Sequence, residues 1–253
     1  MKAPALSKAE LRLIDSLVDY FFQNKSIFET LLYQLNGHIG SSVALRPLVH
    51  SFKGRVKDPE HLRDKLIRKG IEHKEKGNPF PYSKSNLFKS INDLAGFRLL
   101  HLHTKQVKDI HAALLQIFED QRWILLEGPS ARTWDDESKQ YFRDIGFDTV
   151  DSKSMYTSVH YVVQPNSKSE PTCEIQVRTL MEEVWGEVDH KINYPVKSNS
   201  EPCKEQIKVL ARVTSSCSRL VDSIFLSHDH AVGASSVHVP AERRTRTRSA
   251  RGS

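Results

Sequence analysis

The stretch YTSVHYVV, residues 156–163, carries the pattern from which the fold of this chain is predicted. Val159 and Tyr161 alternate with Ser158 and His160, which is the period of a β-strand with one apolar and one polar face. The tyrosine that opens the stretch adds an aromatic ring at the end of the polar face. Such a strand packs its apolar face on a core and leaves the other for solvent or a ligand.

Two further segments alternate in the same way, GRVK at residues 54–57 and CEIQVRT at residues 173–179. Their polar faces carry Arg55 and Lys57 in the first segment, and Glu174, Gln176 and Arg178 in the second. A buried strand is also predicted to begin near Ala95, just after Asp93. One alternating strand is typical of a half-exposed sheet, but three with apolar opposite faces favour a functional surface.

The combination of cations, carboxylates and an aromatic ring on one face indicates transfer of phosphoryl or pyrophosphoryl groups. Cations hold a polyphosphate, carboxylates bind Mg²⁺ or accept the proton of an attacking hydroxyl, and an aromatic ring stacks on a base. The sequence contains no GxxxxGK[ST] loop. Arginine and lysine side chains are therefore expected to hold the phosphates.

Strands interleaved with helices predict an α/β or α+β fold with a mixed sheet of about five strands. The expected organisation is N-terminal helices at 1–44, a catalytic domain at 45–200, a C-terminal helix at 201–230 and a disordered arginine-rich tail at 231–253. The helix after Pro59 is predicted to end at Gly70. Residues 129–153 are expected to be a long excursion with one short helix, and the last helix is expected to span about 204–226.

The net charge of +6 is concentrated in the predicted tail, where five arginines accompany one glutamate. The remaining chain is nearly balanced, so its charge alone does not indicate nucleic-acid binding. Three unevenly spaced cysteines support neither a disulfide framework nor a zinc site. Without an apolar run of about 18 residues or a signal-peptide core, we expect a cytoplasmic protein that does not enter a membrane.

Five segments, taken in order, resemble the synthetase domain of RelA/SpoT-type pyrophosphokinases, in particular its small single-domain members. They are GRVKDPEHLRDKL (54–66), INDLAGFRLL (91–100), YTSVHYVV (156–163), EIQVRT (174–179) and WGEVDHKINYP (185–195). The resemblance covers about residues 45–195. It implies a nucleotidyltransferase-like mixed sheet flanked by helices, which moves the β,γ-pyrophosphate of ATP to a ribose 3′-hydroxyl.

The resemblance also assigns roles in the ATP site. Arg55 and Arg98 would clamp the adenine between guanidinium planes. Lys57 and Lys65 would neutralise the ATP phosphates. Asp93 would bind Mg²⁺, and Glu174 would share the metal or act as general base on the 3′-hydroxyl.

On the acceptor side, the resemblance implies that Tyr156 stacks on the acceptor base while Ser158 and His160 line its pocket. The residues implied to support the acceptor and phosphate sites are Gln176, Arg178, His190 and Asn193. Alternatives remain open for several of these residues. His160 fits a hydrogen-bonded strand histidine, Tyr156 a packing aromatic, and His190 and Asn193 helix-capping residues. The glutamates at 182, 183 and 187 are expected to form a solvated helix face.

The chain also departs from the pattern of alarmone synthetases. Met155-Tyr156-Thr157 stands where they have Gly-Tyr-Arg, so an arginine that would meet a charged acceptor is missing. His61 replaces the usual serine of the ATP helix, and the lysine expected before the loop is displaced to Lys153. These changes reduce the positive charge expected around the acceptor.

Three functions remain as hypotheses. The first is an alarmone synthetase that makes guanosine tetra- or pentaphosphate from ATP and GDP or GTP. The second is a toxin that pyrophosphorylates the 3′ end of tRNA; the missing arginine favours it and the balanced charge of the body opposes it. The third, a catalytically inactive nucleotide- or RNA-binding module, is disfavoured by the retained Asp93 and Glu174. Candidate partners beyond these substrates are an antitoxin protein and a second copy of the chain.

Overall fold

The computed structural model describes residues 6–152, 154–193 and 198–236. Its elements in chain order are α1 (Lys8–Gln23), α2 (Lys25–Ser41), β1 (Ser51–Val56), α3 (Pro59–Glu75), α4 (Leu87–Ser90), β2 (Ala95–His101), α5 (Gln106–Asp120), β3 (Ile124–Thr133), α6 (Asp136–Asp144), β4 (Asp148–Asp151), β5 (Ser158–Gln164), β6 (Cys173–Thr179), α7 (Leu180–Asn193) and α8 (Glu201–Ser236). Within these residues, no helix has both the length and the apolar character that a membrane crossing requires.

Six strands form one mixed sheet in the order β1-β2-β6-β5-β3-β4. β2 runs parallel to β6 and antiparallel to β1, while β5 lies antiparallel to both β6 and β3. At the far edge, β4 runs parallel to β3. The predicted α+β class with a mixed sheet flanked by helices is therefore confirmed, with one strand more than the five or so expected.

The additional strand lies in the segment that was predicted to be irregular, residues 129–153. β3 continues to Thr133, α6 is the one short helix expected there, and β4 then pairs with β3. The prediction of a long excursion is therefore wrong. The sequence did not reveal β4, because this strand is only four residues long, DTVD, and has no run of apolar residues. Its extended conformation comes from the hydrogen bonds to β3, which sequence periodicity does not report.

α2 and α5 pack against the apolar face of the sheet. Val159 and Tyr161 of β5 are fully buried there, and the Tyr161 hydroxyl lies 3.2 Å from His111 Nδ1 on α5. Gly54 of β1 lies against Leu32 of α2. The α1 side chains belong to the same hydrophobic cluster, so the N-terminal helices complete this core. This face agrees with the one predicted from the alternation in YTSVHYVV.

α3 begins where its sequence predicts and ends later. The Asp58 side chain caps it by accepting hydrogen bonds from the backbone of Glu60 and His61, and Pro59 occupies its first turn. The helix continues to Glu75, so the prediction that Gly70 ends it is wrong. Gly70 is buried under the Phe80 ring, which lies 3.1 Å from where a Cβ atom would stand. Close packing against Phe80 explains why the residue at position 70 is a glycine.

α7 and α8 pack together beside the polar face of the sheet. The Trp185 indole of α7 donates a 3.1 Å hydrogen bond to the Ile207 carbonyl of α8, and Ala211 completes a small apolar cluster. α8 is longer than predicted, because it begins at Glu201 and reaches Ser236. It thus extends six residues into the segment expected to be a disordered tail; residues 237–253 lie outside the described chain.

Candidate active site

The strand order brings the predicted polar faces side by side. Across β1, β2 and β6, Arg55 pairs with Gly96, and Gly96 pairs with Glu174. Because Gly96 has no side chain, it leaves a recess in the sheet between the arginine and the glutamate. A Cβ atom at this position would lie 3.8 Å from Arg55 Cγ, in ordinary contact. The recess therefore has a flat floor with a cation on one side and a carboxylate on the other.

Asp93 lies at the rim of this recess, between two lysines. Its carboxylate oxygens are 2.8 Å from Lys57 Nζ and 2.7 Å from Lys65 Nζ. Burial by itself raises the pKa of Asp93, but the two ammonium groups outweigh it and hold that pKa below its usual value. The sequence predicted all three residues for the ATP site, and the structure brings them together.

Glu174 is positioned by two neighbours on the same sheet face. His160 Nδ1 lies 2.9 Å from Oε1 of the carboxylate, and Gln176 Nε2 donates a 3.1 Å hydrogen bond to Oε2. Burial alone would raise the pKa of Glu174, but the hydrogen bond and the electrostatic interaction with His160 lower it, and the pKa lies below its usual value. Glu174 is therefore an ionised carboxylate with a fixed orientation.

The two carboxylates belong to one recess. Asp93 and Glu174 both line a cavity of about 220 Å³, and the negative charge of Asp93 acts to raise the pKa of Glu174. Within the described residues, no group of three or more His, Cys, Asp or Glu side chains has a metal-binding arrangement. A pair of carboxylates suits Mg²⁺, which takes one or two from the protein and completes its shell with substrate phosphates and water.

Three adjoining cavities make up the site. The cavity under the two carboxylates opens beside one of about 450 Å³, lined by Arg55, Lys57 and Lys65 among others. A third cavity of about 790 Å³ lies beyond Arg98 and Gln176, which line both it and the recess. His190 contributes to the wall of all three cavities. The third cavity is large enough for a nucleotide.

Tyr156 forms one wall of the largest cavity, as its predicted role in the acceptor site requires. Its hydroxyl donates a 3.3 Å hydrogen bond to Gln176 Oε1, and its ring faces the Arg178 guanidinium at 5.5 Å. The preceding Met155 has a φ of 58°, a left-handed conformation that glycine adopts without cost. The methionine thus retains the backbone shape expected of glycine at this position.

Only Glu187 of the three glutamates of α7 that were predicted to form a solvated face is exposed. Glu183 lies 3.1 Å from Arg98 and also forms an ion pair with the buried Arg178, while Glu187 lies 2.5 Å from Arg98. Glu182 is only 5% exposed. The prediction failed because the helix packs beside the polar face of the sheet, where the strand arginines supply partners that the helix pattern does not reveal.

This network bears on the predicted adenine clamp. Burial acts to lower the pKa of Arg98, but Glu183 and Glu187 outweigh it and hold that pKa above its usual value. Its guanidinium lies between the recess and the largest cavity, bound to α7, whereas Arg55 is exposed on β1. The two arginines therefore flank the recess, and Arg98 would exchange carboxylate contacts for a base on clamping an adenine.

The remaining predicted acceptor residues do not all line the largest cavity. The Ser158 hydroxyl donates to the Val177 carbonyl at 3.3 Å, and the residue lines a separate cavity of about 200 Å³ at the edge of the sheet. His160 is buried against Glu174. Asn193 lines the largest cavity but also donates to Asp189 and accepts from the Ser198 backbone, as a capping residue does. Lys153 lies outside the described residues.

Among the residues that line the largest cavity and that sequence reasoning missed are Trp185, Lys204, Ile207 and Lys208. Three of them lie on α8, beyond the segments that carry the family resemblance. Their helix shows ordinary amphipathic spacing, and no motif marks these positions. Only the packing of α8 on Trp185 brings them to the cavity.

Comparison with known proteins identifies the family. A family model described as a region found in RelA / SpoT proteins matches residues 54–199, more than half of the chain. The chain belongs to the RelA/SpoT family. The resemblance predicted from the five sequence segments is thereby confirmed, and the matched region contains Asp93, Glu174 and Tyr156.

A curated relative of this RelA/SpoT protein is GTP pyrophosphokinase YwaC of Bacillus subtilis (strain 168). The two are 24% identical over 197 residues, which span 76% of this chain and 77% of the relative. The structure of a GTP pyrophosphokinase family protein from Streptococcus pneumoniae is 20% identical, with a TM-score of 0.58 over 89% of this chain and 98% of the other.

The small alarmone synthetase 1 from Bacillus subtilis, solved bound to its product pppGpp, is likewise 20% identical. Its TM-score is 0.57, and the match covers 84% of this chain and 97% of that one. At these identities the two solved structures support the fold of the RelA/SpoT protein. They agree with the predicted mixed sheet flanked by helices.

Proposed function

We propose that this RelA/SpoT protein transfers the β,γ-pyrophosphate of ATP to the 3′-hydroxyl of GDP or GTP, giving guanosine tetra- or pentaphosphate. The observation that carries the proposal is the arrangement of two cavities around a shared wall. The smaller cavity contains ionised Asp93 and Glu174, the larger is lined by Tyr156, and Arg98 and Gln176 line both. The names of the relatives, GTP pyrophosphokinase and alarmone synthetase, support the same reaction.

The recess beside β1 and α3 would bind ATP. Asp93 holds the ammonium groups of Lys57 and Lys65 in the adjoining cavity of about 450 Å³, where they would neutralise the triphosphate. Arg55 and Arg98 would stack on the adenine, for which a planar guanidinium is suited. Asp93 and Glu174 fit a Mg²⁺ ion, which when bound would offset negative charge on the transferred pyrophosphate.

Glu174 would act as the general base. Its pKa lies below the usual value, so the carboxylate is ionised at neutral pH and can accept the proton of the 3′-hydroxyl. The 3′ oxygen then forms a bond to the β-phosphorus of ATP, the bond from that phosphorus to the α-phosphate oxygen breaks, and AMP leaves. His160 and Gln176 hold the carboxylate in place and leave its orientation unchanged through the reaction.

Tyr156 would stack on the guanine of the acceptor. The ring lines the cavity of about 790 Å³, and its hydroxyl and face are held by Gln176 and Arg178. Stacking of a base on an aromatic side chain contributes about 1 to 3 kcal/mol. The acceptor ribose would then lie near the shared wall, within reach of Glu174.

A second candidate acceptor is the 3′ end of tRNA, which one observation favours. Thr157 stands where alarmone synthetases have an arginine, and its hydroxyl and backbone N–H are engaged by Thr133 and Glu182. Among the described residues of this loop, 154–157, none is a cation that could meet a 5′-polyphosphate. With tRNA as the acceptor, an antitoxin protein would be the expected regulator; that partner and self-association remain predictions.

The test incubates purified protein and Mg²⁺ with ATP labelled at the γ position, offering GDP, GTP or deacylated tRNA in separate reactions. Label on GDP and GTP is the expected result. A parallel reaction with α-labelled ATP should release AMP, since release of ADP would mean transfer of a single phosphate. Label on tRNA alone would mean that tRNA, and not a guanine nucleotide, is the acceptor. If the protein binds ATP but transfers no label, the result would favour the binding-module hypothesis.

A further inference from the structure

The largest cavity contains two lysines that neither the family motifs nor the sequence pattern predicted. Lys204 and Lys208 come from α8 and lie one helical turn apart on the same side of that helix. They stand on either side of Ile207, whose carbonyl accepts the hydrogen bond from Trp185. This anchor to α7 determines which face of α8 borders the cavity, so the lysines line the same cavity as Tyr156.

The charges already present in the cavity distinguish these lysines from the arginines. Arg98 is bound by Glu183 and Glu187, and Arg178 by Glu183, in partly or fully buried ion pairs. Lys204 and Lys208 contact only exposed glutamates of their own helix in the ion pairs that the structure describes, Glu201 and Glu205, each at 2.6 Å. Such surface pairs contribute less than about 1 kcal/mol and are readily exchanged for a phosphate.

We propose that Lys204 and Lys208 bind the 5′-phosphates of the acceptor nucleotide and make the cavity selective for a nucleoside 5′-di- or triphosphate. The inference rests on the proposed function and assigns this role to α8. The two ammonium groups replace the cation that is missing from the loop at Thr157. If the base stacks on Tyr156 and the phosphates bind to α8, the ribose would lie near the wall formed by Arg98 and Gln176, and thus near Glu174.

The experiment measures acceptor use and acceptor binding in the doubly substituted Lys204→Ala/Lys208→Ala protein. Transfer from ATP is measured with GDP and with guanosine, which lacks the 5′-phosphates, and binding is measured with a fluorescent GDP. We expect the KM and Kd for GDP to rise about tenfold or more, as for loss of charge-assisted hydrogen bonds to phosphate. The KM for ATP and the use of guanosine should be unchanged.

Two further variants serve as controls. Lys25→Ala/Lys108→Ala removes the same charge from a half-buried position on α2 and an exposed one on α5, the helices that cover the opposite face of the sheet, and should leave the Kd for GDP unchanged. Lys204→Arg/Lys208→Arg keeps both cations and should restore tight GDP binding. Thermal melts establish that each variant is folded.

The outcomes separate this inference from the proposed function. Wild-type protein that binds GDP, with binding lost in the alanine variant, supports the α8 site whatever the rate of transfer. An unchanged Kd for GDP in the alanine variant overturns it, as does wild-type protein that does not bind GDP. Transfer of label from ATP to GDP by the wild-type protein tests the proposed function by itself.

Discussion

At the residue scale, the site depends on how Glu174 is held. Its two carboxylate oxygens contact different neighbours, His160 at 2.9 Å and Gln176 at 3.1 Å, both from the same sheet face. Because these contacts stabilise the ionised form, the buried carboxylate keeps its charge at neutral pH. A general base needs both a free electron pair and a fixed direction, and the pair of neighbours provides the direction.

Replacing this carboxylate tests its role directly. Glu174→Gln keeps the size of the side chain but has no carboxylate to accept the proton, so we expect kcat to fall by about 100-fold or more. The KM for ATP should change little, because the lysines at the triphosphate remain. Steady-state assays with labelled ATP measure both constants.

The control for this variant is Glu170→Gln, which changes an exposed glutamate in the β5–β6 loop and should leave kcat unaltered. Circular dichroism should show that both variants melt cooperatively. Wild-type turnover by Glu174→Gln would remove Glu174 as the base and leave it a structural partner of His160.

At the scale of elements, β3 bends at Gly128, where its register with β5 shifts. Gly128 has a φ of 100°, and a Cβ atom there would overlap the carbonyl oxygen of His160. The glycine therefore lets β3 approach the backbone of the residue that contacts Glu174. An element at the edge of the site thus determines the position of a side chain inside it.

We expect Gly128→Ala to destabilise the protein, because both the positive φ and the overlap with β5 oppose a side chain. The free energy of unfolding should fall by about 1 to 3 kcal/mol. Turnover should also fall, since the His160 backbone must shift. Urea denaturation and the pyrophosphate-transfer assay measure the two effects.

Gly146→Ala separates the two causes. Gly146 also has a positive φ, 84°, but nothing lies within 4 Å of its missing Cβ. Only the left-handed backbone should therefore destabilise this variant. Its free energy of unfolding should fall by about 1 to 2 kcal/mol, and its turnover should not change. Equal destabilisation of the two variants would show that the overlap with His160 has no energetic weight.

At the scale of the whole molecule, a buried carboxyl group links stability to pH. Burial raises the pKa of Glu182 to about 7, although the Thr157 N–H and Arg178 act to lower it. In the unfolded chain the group ionises at its ordinary pKa of 4.5. Between these values the folded protein keeps a proton that the unfolded chain has lost, so stability falls as the pH rises through this range.

Glu182→Gln should remove this dependence. A shift from 4.5 to about 7 corresponds to about 3 kcal/mol. We expect the variant and the wild type to be similarly stable near pH 4.5, and the variant to be more stable by up to this amount at pH 8. Urea denaturation at several pH values measures the difference.

Glu119→Gln, at an exposed position on α5, is the matched control and should differ from the wild type by a constant amount at every pH. A similarly constant difference for Glu182→Gln would mean that the buried carboxyl group does not titrate in this range. The result would then assign the group a normal pKa and a partner other than those the structure shows.

Several features of this protein were determined by local sequence. The alternation in YTSVHYVV and CEIQVRT was sufficient to predict two strands and their buried faces, because the period of a strand depends only on consecutive residues. The same alternation put Glu174 and Gln176 on one face, and the ordered motifs identified the RelA/SpoT family. Asp93, Lys57 and Lys65 were predicted as a group from these motifs, and they are in contact.

Other features were decided only by tertiary structure. β4 is a strand because β3 pairs with it, and Glu182 and Glu183 are buried because α7 packs beside the strand arginines. Lys204 and Lys208 line the largest cavity because Trp185 anchors α8. Each of these outcomes depends on a contact between residues far apart in the chain. Local periodicity carries no information about such contacts, whereas the folded sheet and its helices determine them.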